Sequence, residues 1–175
     1  MVGIIDYGVG NLFSLRSSFA AIGVEAFVSG DAYELAKADR LILPGVGAFG
    51  DAAQKLRASG LDAFVKEQAA AGKPLMGICL GMQLLFEKSY EYGEHSGLGL
   101  LKGQVVGMDG RLPADLKIPH MGWNALKLTK QARLLEEGSY VYFVHSFYAE
   151  NCEDSLAAVT DYGIPITAAV EKGNI

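Results

Sequence analysis

The sequence predicts an α/β domain: a largely parallel central sheet with helices on both faces, extended by antiparallel strands. Three observations carry this. Apolar runs of strand length alternate with helix-like segments through the first half. The chain has 22 glycines, many of them at the joints between those segments. After Gly97-Leu98-Gly99-Leu100 the pattern changes to short strands linked by turns.

The elements follow in order. Val2 to Asp6 reads as a strand, followed by a Tyr7-Gly8-Val9-Gly10 turn. Asn11 to Ile22 reads as an amphipathic helix, with Leu12, Leu15, Phe19 and Ile22 on one face. Val24 to Val28 is the next strand, Ala32 to Ala38 a short helix, and Arg40 to Leu43 a strand ending at Pro44-Gly45-Val46-Gly47. Helices begin near Ala48 and span Leu61 to Ala71. Pro74 to Ile78 reads as a buried strand, and Leu80 to Glu87 continues with helical periodicity. Beyond Leu100, strands are expected at Leu101–Val106, Ala125–Leu128, Tyr140–Val144, Ser155–Thr160 and Ile164–Val170, with no long helix. This βα rhythm favours a parallel sheet, and the later strands an antiparallel extension. No repeat or linker interrupts the chain, so residues 1–175 read as one domain.

Bulk properties exclude several functions. A length of 175 residues, half of them hydrophobic, is enough for one sizeable core. The net charge of −5 and the lack of a basic run argue against nucleic-acid binding. Two cysteines do not make a disulfide framework and suit a reducing cytoplasm. No apolar stretch reaches membrane-spanning length, and Met1 is followed directly by a strand rather than a basic leader. The three histidines are too scattered for a metal site, and no cofactor is implied.

The most informative segment is Gly77-Ile78-Cys79-Leu80-Gly81, the thiol counterpart of the G-x-S-x-G nucleophile elbow. A nucleophile on a sharp strand-to-helix corner is strained, and side chains two residues before and after it would clash. Cys79 is expected at a helix N-terminus, where the macrodipole favours the thiolate. The Leu80 N–H is expected to face the oxygen of a carbonyl under attack. A buried structural cysteine is the alternative, but the strand–corner–helix context favours the nucleophile. Cys152, in Glu150-Asn151-Cys152-Glu153-Asp154, reads as a bystander in an acidic loop that would raise its pKa.

Pro44-Gly45-Val46-Gly47 lies at the same sheet end as Cys79 and offers unshielded N–H groups for a second oxyanion donor. Gly8-Val9-Gly10 fails the dinucleotide fingerprint, because Phe13 occupies the third glycine position. Among the histidines, His145 at a predicted strand end is the best candidate for a base. His120 falls in Pro119-His120-Met121-Gly122-Trp123-Asn124, read as a loop, and His95 in a solvated polar loop.

These motifs together resemble the class I, triad-type glutamine amidotransferases. The segments concerned are Asp6–Leu12, Pro44–Phe49, Gly77–Phe86, Gly97–Leu100, Pro119–Asn124 and Tyr142–Ser146, in order along essentially the whole chain. The resemblance implies a flavodoxin-like three-layer domain that releases ammonia from L-glutamine. Cys79 would form a glutamyl thioester, and Val46, Gly47 and Leu80 would supply the oxyanion hole. Gly45 and Gln83 would hold the substrate, and His145-Ser146-Phe147 would line its pocket through backbone contacts, which withdraws His145 as the base. The Pro119–Asn124 and Asp6–Leu12 segments resemble the branch serving histidine biosynthesis, whose heterodimer partner is a (β/α)8-barrel cyclase subunit. Asn11, Pro119, Met121, Trp123 and Tyr142 would then face that partner.

The family's catalytic His and Glu lie in a Phe-His-Pro-Glu segment after the last strands. No histidine here precedes Pro-Glu. Lys172-Gly173-Asn174 reads as a hairpin turn, with Ile175 opening a returning strand. The expectation is a C-terminally incomplete amidotransferase domain with impaired turnover. The alternatives are the glutaminase of another synthase, a different cysteine hydrolase, or a docking module that does not hydrolyse glutamine.

Overall fold

The computed structural model describes residues 1–175. Its centre is a parallel sheet of β1 (Val2–Ile5), β2 (Ala26–Ser29), β3 (Arg40–Leu43) and β4 (Leu75–Gly77), in the order β2-β1-β3-β4. Helix α1 (Leu12–Ala21) covers one face: Leu12, Leu15 and Phe19 pack on Val2, Ile4 and Ile42. Ile22, expected on that apolar face, is exposed, because the helix ends before it. The opposite face carries Ile5, Leu41, Leu43 and Leu75. They pack into one core with α2 (Ala32–Ala36), α3 (Phe49–Ala58) and α4 (Leu61–Ala70). Alternation along the strands sends successive side chains to these two layers. No helix is long and apolar enough to cross a membrane.

Strand β4 is at the sheet edge rather than buried between neighbours, and Met76 is 49% exposed. Its start is held by the last turn of the chain. The Leu75 N–H donates to the Asn174 carbonyl (2.9 Å), and the Asn174 amide donates to the carbonyls of Ala69 and Lys73. Lys172 and Ile175 exchange backbone hydrogen bonds across Gly173-Asn174, the turn expected there.

The helix expected over Leu80–Glu87 is a single turn, α5 (Leu80–Gln83). Leu84, Leu85 and Phe86 are all buried, which an amphipathic surface helix would not permit. Their carbonyls accept from Leu98, Leu100, Leu101 and Gly99 N–H, so the Gly97–Leu101 segment replaces the helical ladder. Gly97 is needed for that approach: a Cβ there would lie 2.1 Å from the Phe86 carbonyl oxygen.

The extension consists of three small sheets rather than one continuation of the parallel sheet. One contains β5 (Lys88–Ser89), β6 (His95–Ser96), β7 (Gln104–Gly107) and β11 (Phe147–Glu150), ordered β11-β7-β5-β6, with β5 and β7 parallel. The second is an antiparallel ribbon of β8 (His120–Ala125) and β10 (Tyr140–His145). The third orders β13 (Pro165–Val170), β12 (Leu156–Asp161) and β9 (Lys127–Leu128). The Pro119–Asn124 segment, expected as a loop, supplies β8; its glycine and polar residues hide the alternation that pairing reveals. Cys152 also departs from expectation. It is buried in the main core with Val105 and Ala149, and this burial, more than Glu153, pushes its thiol up.

Because Phe86 joins the parallel half to the extension, Phe86→Ala should cost about 3–5 kcal/mol. Urea unfolding by circular dichroism measures this.

Candidate active site

The site forms where β3 and β4 end. Ile78 N–H donates to the Leu43 carbonyl (3.0 Å), carrying the β3–β4 pairing to the corner. Cys79 follows at φ 54°, ψ −117°, a strained position for a residue with a Cβ. Helical bonds start at once: Met82 and Gln83 N–H donate to the Cys79 carbonyl. The flanking glycines are sterically required. A Cβ on Gly77 would lie 2.6 Å from Met82 Cα, and one on Gly81 would lie 1.9 Å from the Leu43 carbonyl oxygen.

The Gly45 turn presses on this corner. A Cβ on Gly45 would stand 2.6 Å from Gly81 N and 2.9 Å from Leu80 Cβ. Val46 and Gly47 are exposed, and neither their N–H groups nor that of Leu80 has a backbone carbonyl partner. Three donors near an exposed thiol form an arrangement able to bind a developing oxyanion. Two supports had no clear sequence signal. Tyr7 Oη donates to the Pro44 carbonyl (2.7 Å), and burial pushes its phenol far up, keeping that proton in place. The Glu91 carboxylate accepts the Phe49 N–H (2.6 Å), fixing the residue that follows the turn into α3. A helix N-terminus rich in unpaired donors was the only hint of an acidic partner.

The electrostatics of Cys79 differ from expectation. The residue is exposed, yet desolvation of the thiol is the larger influence and pushes its pKa up. The Leu80 N–H favours the thiolate but only partly offsets this. The four-residue α5 is too short to supply the macrodipole of a full helix.

Gln83 is buried, and its Nε2 donates to the Phe147 carbonyl (3.1 Å). The same carbonyl accepts from His145 Nδ1 (2.9 Å). His145 Nε2 faces His120 Nδ1 at 3.0 Å, so both nitrogens of His145 are engaged away from Cys79. His95 is not a freely solvated loop residue: it lies in β6 with its ring against Gly50 of α3. The structure thus joins Gln83, His145 and Phe147 in one cluster, with Ser146 between the last two.

The proposed partner residues lie elsewhere. Met121, Trp123, Tyr142 and Val144 are exposed on the β8–β10 ribbon, where Trp123 and Tyr142 meet edge to face at 5.6 Å. Pro119 precedes the ribbon, beside a cleft of about 460 Å³ lined by Asp115–Pro119, Met121 and Tyr162. Asn11 caps α1, its side chain accepting from Ser14 N–H.

This fold and corner define a class I glutamine amidotransferase, and the chain belongs to that family: the family described as glutamine amidotransferase class-I matches residues 3–174. The similarity narrows further among curated relatives. The protein described as imidazole glycerol phosphate synthase subunit HisH of Wolinella succinogenes is 49% identical over 180 residues, covering 100% of this chain and 88% of its own length. The HisH subunits of Sulfurimonas denitrificans and Bacillus subtilis are 50% and 48% identical, covering this whole chain and 86% and 85% of theirs. A crystal structure of a glutamine amidotransferase aligns with TM-score 0.70 at 19% identity, covering 90% of this chain and 79% of its own, and supports the fold.

Two outcomes test this site. Alkylation of Cys79 should be slow at neutral pH and still rising at pH about 9, because only the thiolate reacts and its formation is delayed. Cys79→Ser identifies the reacting sulfur, Cys152 being buried. Gly81→Ala should cost at least about 1–3 kcal/mol by overpacking, measured by urea unfolding.

Proposed function

We propose that this chain is the glutaminase subunit of an imidazole glycerol phosphate synthase, acting in the cytoplasm in histidine biosynthesis. The observation that carries this reading is the strained Cys79 corner against the Gly45–Gly47 turn, in a chain half identical to HisH subunits. The Cys79 sulfur attacks the amide carbon of L-glutamine, and the carbonyl π electrons move onto oxygen. The N–H groups of Val46, Gly47 and Leu80 stabilise that oxyanion. Collapse breaks the C–N bond, releases ammonia once the nitrogen is protonated, and leaves a glutamyl thioester for water to cleave. Gly45, Gln83 and the His145–Phe147 backbone border the glutamine.

The exposed apolar face of the ribbon supports a docking role toward a (β/α)8-barrel cyclase that receives the ammonia. Pro119, Met121, Trp123 and Tyr142 would meet it, and Asn11 would extend the contact. The ring nitrogens of His120 and His145 are engaged with each other, Asn124 and Phe147, and His95 packs its ring on Gly50 of α3. We therefore assign these residues the nucleophile and the pocket, and the proton transfers to the Phe-His-Pro-Glu segment that the family places after them.

A glutamine-analogue electrophile should label Cys79, with the label lost in Cys79→Ser. Ammonia release from L-glutamine with cyclase and its ligand present should fall by at least about two orders of magnitude in Cys79→Ser. Normal turnover that disappears on changing His145 or His120 would overturn the assignment.

A further inference from the structure

His120 and His145 form a hydrogen-bonded pair that the proposed chemistry does not use. His120 is fully buried, stacked between Phe143 (centroids 4.8 Å apart) and Tyr162 (4.0 Å). The pair closes one end of the β8–β10 ribbon, where the two residues are in register. From there a single chain of hydrogen bonds runs inward. His120 Nε2 meets Asn124 Oδ1 (2.9 Å), His120 Nδ1 meets His145 Nε2, and His145 Nδ1 meets the Phe147 carbonyl shared with Gln83.

Proton accounting restricts this chain. A backbone carbonyl only accepts, so His145 carries its proton on Nδ1. The two rings share a single proton between them. With the Asn124 oxygen toward His120, Nε2 of that ring must also carry a proton. With the oxygen in that place the bonds call for three ring N–H groups, one more than two neutral imidazoles supply. If the Asn124 amide turned, both rings could be neutral with His145 unchanged, at the cost of its 3.5 Å bond to the Asp161 carbonyl. When both facing nitrogens carry a proton, the two N–H groups repel and the contact opens.

We propose that His145 is a positioning residue for glutamine, locked by His120 as the Nδ1–H tautomer so that it fixes the Phe147 carbonyl on which Gln83 is anchored. This rests on the reading that Gln83 and Phe147 border the glutamine pocket. The groups facing the pair are few. Tyr162 lies on His120, and Asn124 ends the chain of bonds. Asn124 in turn reaches the Asp161 backbone carbonyl, while the Asp161 carboxylate is engaged by Lys127 Nζ (3.6 Å) and the Gly163 N–H. Burial and the neighbouring His120 both lower the pKa of His145, so it resists the second proton until pH falls below the ordinary histidine range.

The test uses the protein with its cyclase. His145→Phe removes the donor to Phe147. It should raise the glutamine KM about tenfold while changing kcat less than about threefold. His145→Asn places an amide N–H near the Nδ1 position. It should bring KM back to within about threefold of the unaltered enzyme and abolish the rise in KM expected of the unaltered enzyme as pH falls below the ordinary histidine range. A Gln83→Ala variant separates the two ideas. If Gln83→Ala raises KM and His145→Phe does not, the positioning role is wrong. If neither raises KM, the pocket reading fails and the inference with it. Nitrogen-15 NMR of the unaltered protein needs no variant to fold: His145 protonated on Nδ1 is the expected tautomer, and protonation on Nε2 alone would overturn the proposal.

Discussion

The approach of Gly81 to the Leu43 carbonyl is the constraint on which the site depends. It sets the elbow against the end of β3, closer than any side chain would permit. The Gly45 turn, emerging from that same strand, is then forced onto Leu80 and Gly81. Cys79 and the Gly45–Gly47 turn therefore follow adjacent strands of a single sheet, and their relative position follows from β3–β4 pairing. Tyr7 extends the constraint to β1 by holding the Pro44 carbonyl, and Glu91 extends it to α3. The backbone strain at Cys79 is sustained because each neighbour is tied down independently.

Placement and activation of the thiol are separate problems in this chain. The sheet places Cys79, but its surroundings push the thiol pKa up, and the one-turn α5 does little to reverse that. The histidines that stand out in the sequence serve the architecture instead. His95 packs on α3, and the other two link the aromatic ribbon to Phe147. The exposed aromatic ribbon and the Gln83–Phe147 cluster thus share one hydrogen-bonded route through the extension.

Much of the first half was legible because its elements are local. Strand β3 spans the predicted residues, and the expected starts of β1, α2 and α4 hold. The glycines of the elbow announced its geometry, because only close backbone contact requires them. Errors arose where distant chain decided the outcome. Leu84-Leu85-Phe86 continues a helical pattern, yet Gly97–Leu101 takes over its carbonyls. The Pro119–Asn124 segment lacks strand-like composition, yet β10 pairs along all of β8. His145 looked like a base because sequence shows a residue type and not its partners.

By itself the sequence determined the fold class, the strand-to-helix corner at Cys79 and the family, because these rest on local periodicity and on short motifs with steric reasons behind them. Tertiary structure alone decided three further matters. It placed β4 at an edge, it ended α5 after one turn, and it set the protonation environments of Cys79 and His145. Each depends on which groups from remote parts of the chain remove water or satisfy a hydrogen bond, and no local pattern encodes that.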